Sequence, residues 1–105
     1  MILVLVLAAV IVTPPVQQLA SWRGICEARF AVRVQAHPNN RHVTITLADE
    51  GGTFSRTEIP VSRTQVTMID RALVLREDQT VTISTTVVGS SGYREHGAPA
   101  RIICH

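Results

Sequence analysis

The chain is 105 residues long, and none of its charged side chains lies in the first twenty; the ten cationic residues are all Arg, the acidic ones number eight, and the formal net charge is +2. The 85 residues that remain suffice for one domain, and are too few for a dinucleotide fold with a substrate domain or for an eightfold β/α barrel. A 17% charged and 46% apolar composition excludes a disordered tail. The small net charge, with no Arg cluster or aromatic ladder, speaks against a nucleic-acid partner.

Residues 2–12 form an unbroken apolar run closed by Thr13-Pro14-Pro15. A bilayer-spanning helix needs about 20 apolar residues, so this run has the length of a signal-peptide core, and the proline pair would end a helix there. Residues 1–20 therefore read as a signal peptide or hydrophobic leader, with residues 21–105 as a single domain. Ala20 supplies a small residue before the expected cut. Gln18 departs from the small-x-small pattern, and the amino-terminal region has no Lys or Arg. The alternatives are an apolar first strand in the core and a retained membrane anchor, the latter being the one membrane contact expected. Export, to a periplasm or to the outside, suits the two Cys, because an oxidising compartment lets a disulfide persist. The run Arg23-Gly24-Ile25-Cys26 has Arg where a lipid-attachment motif needs Leu, which speaks against acylation of Cys26.

Beyond residue 20, β-branched Val, Ile and Thr greatly outnumber Leu, a bias toward pleated strands. Over 26–35, Cys26, Ala28, Phe30, Val32 and Val34 share one face while Glu27, Arg29, Arg33 and Gln35 share the other, the alternation of a half-buried strand. His37-Pro38-Asn39-Asn40 is a turn signal, and Val43, Ile45 and Leu47 alternate after it. Asp49-Glu50-Gly51-Gly52 makes the next turn. A third strand is expected over 53–61, with Pro60 marking an edge or the strand's end. A fourth covers 65–70, led by Val66 and Met68, with Met68 read as core. Residues 71–76 fit either a short strand or an apolar corner. Glu77-Asp78-Gln79 turns the chain into 80–88, where Val81, Ile83 and Val87 share a face. Residues 89–97 read as a loop, and 100–104 as the last strand. No apolar stripe of helical period is long enough for a helix.

Six or seven short strands with turns every 8–12 residues give an all-β antiparallel sandwich, with a small closed barrel as the alternative. Over residues 27–104 this spacing, with the strands paired about His37–Asn40, resembles bacterial secreted domains of the immunoglobulin-like and fibronectin type III-like kind. Two marks of antibody domains are missing: the sole Trp, Trp22, precedes the first strand, and no Tyr precedes the strand at Thr80. The resemblance implies that the 89–97 loop lies at the same end as the 49–52 turn.

Cys26 shares the parity of Phe30, and Cys104 that of Ile102, so both thiols are expected to point inward. A bridge is expected, with two buried thiols as the alternative. Closing so long a loop removes roughly 4–5 kcal/mol of unfolded-chain entropy on a loop model. With strict alternation and seven strands the two Cys would lie a strand length apart; an even strand count brings them together.

The candidate chemistry is sparse. His37, His42, His96 and His105 show no tight ligand spacing, so they read as solvated turn or tail residues, and no metal or other cofactor is expected. An exported copper or zinc carrier is the competing functional class. Ser90, Ser91 and Tyr93 stand near His96, yet no third group orients a base, and Asp49 and Glu50 are turn neighbours; no catalysis is expected. The 89–97 loop carries Tyr93, Arg94, Glu95 and His96, residue types that anchor interfaces when a rigid scaffold presents them. The expected contact surface is Tyr93, Arg94 and His96 with Asp49, facing a protein or glycan. Oligomeric state is not legible.

Overall fold

In a computed structural model describing residues 10–12 and 23–105, the β-branched segments become eight strands: β1 (Val10–Val12), β2 (Ile25–Val34), β3 (Asn40–Asp49), β4 (Gly52–Pro60), β5 (Thr67–Arg76), β6 (Thr80–Gly89), β7 (Arg94–His96) and β8 (Ala100–Ile103). All pairings are antiparallel. One sheet runs β1-β2-β5, the other β4-β3-β6 with β7 and β8 both on the outer edge of β6. The sheets stay open, so the fold is a sandwich and not a barrel. Its only helical element among the described residues is a single 3₁₀ turn at Ser90–Gly92.

The core is the two inner faces. Ala28, Phe30, Val32, Val34, Ile69 and Leu75 of the smaller sheet meet Val43, Ile45, Val81, Ile83, Val87 and Ile102 of the larger. The period of two expected for β2 holds at every second residue from Cys26 to Val34. Small β-branched side chains fill this interior, with Phe30 the one aromatic ring among its described buried residues, so stability rests on many close aliphatic contacts.

Cys26 and Cys104 form a disulfide with a Cα–Cα separation of 5.7 Å, closing 78 residues of sequence separation. β7 and β8 resolve the strand-count conflict. They lie along different stretches of one edge of β6, His96 pairing with Thr86 and Ala100 with Ile83, and so act as one interrupted strand. From β2 onward the chain makes an even number of passes, and the start of β2 meets the end of β8.

Three expectations need correction. Residues 65–76 hold one strand, β5, which begins at Thr67, so neither the split at 70 nor an apolar corner is present. Met68 is 55% exposed and does not belong to the core; Ile69 and Leu75 are buried instead. The preceding turn sets this parity. Ser62 Oγ accepts from the amides of Thr64 and Gln65, and the Ser62 amide donates to Thr67 Oγ1 at 2.9 Å, which turns the odd-numbered residues of β5 inward. Finally, residues 94–96 of the expected loop are a strand.

Within the segment read as leader, Val10–Val12 is a strand that pairs with Val32–Val34. The rest of 1–20, the expected cut near Ala20 and Trp22 lie outside the described residues. No helix among the described residues is long and apolar enough to cross a membrane.

Candidate functional site

Antiparallel strands place every turn at one of two ends, and that settles which candidates meet. Asn40 at the start of β3 pairs with Gly89 at the end of β6. The 37–40 turn and the 89–93 turn therefore share an end, whereas Asp49 lies at the far end of β3, about 30 Å away along the strand. Asp49 is not part of a surface with Tyr93, Arg94 and His96, contrary to expectation. Its carboxylate accepts from the Gly51 amide at 2.8 Å and from Gln79 Nε2 at 3.2 Å, which makes it a turn residue. The reason is simple: the turns that enter and leave one strand, here 37–40 and 49–52 about β3, fall at its opposite ends.

What takes the place of Asp49 is His37. The His37 and Tyr93 rings stack with centroids 3.9 Å apart and planes 4° from parallel. The Asn39 amide donates to His37 Nδ1 at 3.1 Å, which fixes that nitrogen as an acceptor. The two turns are joined through backbone where the Ser90 amide donates to the Asn39 carbonyl at 2.8 Å, and the 89–93 turn is closed on itself by the Gly89 amide donating to the Tyr93 carbonyl at 2.8 Å. Gly89 is required here by proximity. A Cβ on it would collide with the Asn39 carbonyl and come within 2.9 Å of Tyr93 Cδ1. Asn40, 2% exposed, pins the same end by donating through Nδ2 to the carbonyls of Gln35 and Ser62 at 2.8 and 2.9 Å, and Arg63 Nε donates to its carbonyl at 3.2 Å.

Tyr93 is half-buried and packs against the core. Burial, followed by the negative charge of Glu95, raises its phenol above the ordinary value of 10.0. Its ring is thus engaged mainly with the protein itself. Arg94, Glu95 and His96 follow on β7, all exposed. Arg94 and His96 pair with Val88 and Thr86 and project from the outer face of the larger sheet. His96 Nδ1 hydrogen-bonds with Thr86 Oγ1 at 3.0 Å. On the same face His42 Nε2 stands 4.0 Å from Glu58 Oε1, itself 3.9 Å from Arg56 Nη2. Exposed pairs of this kind contribute little to stability, so they are better regarded as a charged surface.

The histidines do not converge: His37 is in the stack, His42 beside Glu58, His96 on Thr86 and His105 exposed at the end of the chain. Among the described residues no three His, Cys, Asp or Glu side chains come together as a metal site, and both thiols are taken by the disulfide. Ser90 Oγ faces Asn39, 3.5 Å from its carbonyl and 3.4 Å from Oδ1, and has no histidine partner.

One feature was not legible in the chain. Between the open edges of β4 and β5 lies a cleft of about 160 Å³, lined by Phe30, Ile45, Leu47, Ser55, Thr57, Arg71 and Ala72. It falls below the roughly 300 Å³ of a small-molecule site, and is the seam where two unequal sheets fail to meet. Arg71, on the inward parity of β5 yet exposed, marks its mouth. A charged residue interrupting an apolar parity was its only sequence signal.

No known protein family, no characterised protein and no solved structure matches the chain in comparison.

Proposed function

We propose that this protein is an exported, non-catalytic β-sandwich module that binds a protein or glycan partner through its Tyr93 end. Support for export comes from the apolar character of residues 1–20 and from a disulfide that suits an oxidising compartment. Likeness to secreted immunoglobulin-like and fibronectin type III-like domains is consistent with that role.

The observation that carries the binding reading is the His37–Tyr93 stack. It fastens the turn before Arg94 to the rest of the domain, so that the backbone carrying Arg94 and His96 is ordered before binding and only their side chains remain to be fixed. Arg94 offers a planar set of donors to a carboxylate or hydroxyl-bearing partner, and His96 a second polar contact on the same face. Tyr93 acts by positioning them.

The test is binding of purified protein to an array of glycans and to surface proteins of its source, compared with Arg94→Ala/His96→Ala and with Tyr93→Ala/Arg94→Ala. Both variants are expected to lose the bound partner while the first keeps the parent melting temperature. Retention of every partner by both variants defeats the site.

A further inference from the structure

Val10–Val12 occupies two roles that exclude each other. These residues lie inside the apolar leader, ahead of the expected cut near Ala20, and yet they form the edge strand of the smaller sheet. Val10 is 2% exposed, as buried as the centre of the core. Among the described residues its strand pairs with Val32–Val34 of β2, and β5 pairs with β2 from Ile25 to Val34 on the other side.

The site under Val10 has three independent features. The first is the backbone edge of β2, antiparallel to the strand seated on it. The second is a recess at Gly97, in the break between β7 and β8. A Cβ at that position would approach Val10 Cβ to 3.2 Å and collide with Thr85 Oγ1. The third is Thr85 itself, 2% exposed, whose hydroxyl lacks a hydrogen-bond partner among the described residues.

We infer that the β2 edge beside Gly97 is a strand-accepting slot, plugged by Val10–Val12 in the uncut chain and filled in the leaderless protein by an extended apolar segment of a partner polypeptide. The inference rests on reading residues 1–20 as a cleaved leader. The cut is hydrolysis of the Ala20–Ser21 peptide bond by an export protease: water adds, leaving a carboxylate on Ala20 and an amine on Ser21. Loss of the plug uncovers apolar wall and leaves unpaired strand-edge groups, a template for another chain. Main-chain bonds to β2 supply affinity, and the pocket that holds Val10 selects a branched aliphatic side chain at that step of the incoming strand. A charged residue there is excluded, because burying it without a partner is prohibitively costly.

The experiment uses the full chain with a site-specific protease sequence replacing residues 14–20, studied uncut and nicked, and a fluorescent peptide of residues 7–13 carrying a polar tail. The nicked protein is expected to exchange its leader for the peptide, and the uncut protein to leave it in solution. A Val10→Asp peptide is expected to bind at least ~100-fold more weakly. Equal binding by uncut and nicked protein, equal binding of the two peptides, or no uptake after nicking each overturns the slot. The intact mass of exported natural chain is a separate arm. A mass that retains residues 1–20 overturns the leader reading and the hand-over with it, whatever the peptides do.

Discussion

The two ends of the sandwich are held by different physics. At the end where β2 begins and β8 finishes, a covalent bond joins Cys26 to Cys104. Turn hydrogen bonds surround it: the Asp78 amide donates to the Cys104 carbonyl at 2.7 Å, the Glu77 amide to Gly24 at 2.7 Å, and the Thr80 amide to Glu50 Oε1 at 3.1 Å. At the other end no covalent bond acts among the described residues. Buried Asn40, the close approach of Gly89 to Asn39 and the His37–Tyr93 stack hold it together. The stapled end draws its stability from restricting the unfolded chain, the stacked end from native contacts. The stacked end places exposed Arg94 and His96 beside a turn fastened by a ring stack, and the proposed binding surface lies there.

The largest expected effect breaks the stapled end. Cys26→Ser with Cys104→Ser, or reduction of the native protein, is expected to cost about 2–5 kcal/mol, read as a lower denaturant midpoint. The stacked end has its own counterpart in Asn40→Ala, which leaves the Gln35 and Ser62 carbonyls without their donor. About 2–3 kcal/mol of destabilisation is expected by chemical denaturation, with the disulfide still closed by thiol titration.

A smaller change runs the other way. Thr85→Val removes a buried hydroxyl that has no partner among the described residues, and is expected to stabilise by about 1 kcal/mol in the same assay. A loss of stability would show that this hydroxyl is satisfied.

The finest measurement is optical. Tyr93 is the only Tyr in the chain, so phenolate absorbance titrates that one residue. Its midpoint is expected above 10.0 in the native protein and at the ordinary value in denaturant. The unfolded state then loses its proton first. Stability from this group is whole below pH 10.0 and is lost as pH rises from there through the native value. An unshifted native midpoint would mean that the ring is solvated and the stack open.

Much of the fold was written in the order of residues. The β2 parity, the turns at 37–40, 49–52 and 77–79, the inward thiols and the facing of Val81, Ile83 and Val87 follow from side-chain chemistry that acts over two or three neighbours. The site was legible only in part. Arg94 and His96 are exposed at one end as their composition suggests, but His37 reads from the sequence only as a solvated turn residue, because nothing local says that its ring will find Tyr93. Met68 was misplaced because an apolar residue next to an ambiguous stretch does not reveal which parity its strand will take; the bonds from Ser62 and to Thr67 decide that.

The sequence by itself determined that this chain makes strands, where they turn, which face of most of them is apolar, and that Cys26 and Cys104 point inward, since all of these depend on a period of two and on the conformational preferences of single residues. Only the tertiary structure decided that β7 and β8 share one edge, that Asp49 lies at the opposite end from Tyr93, and that Val10 enters the core. Those outcomes depend on which strand ends become neighbours after two sheets close on each other, and no contact of that kind is encoded within a few residues of itself.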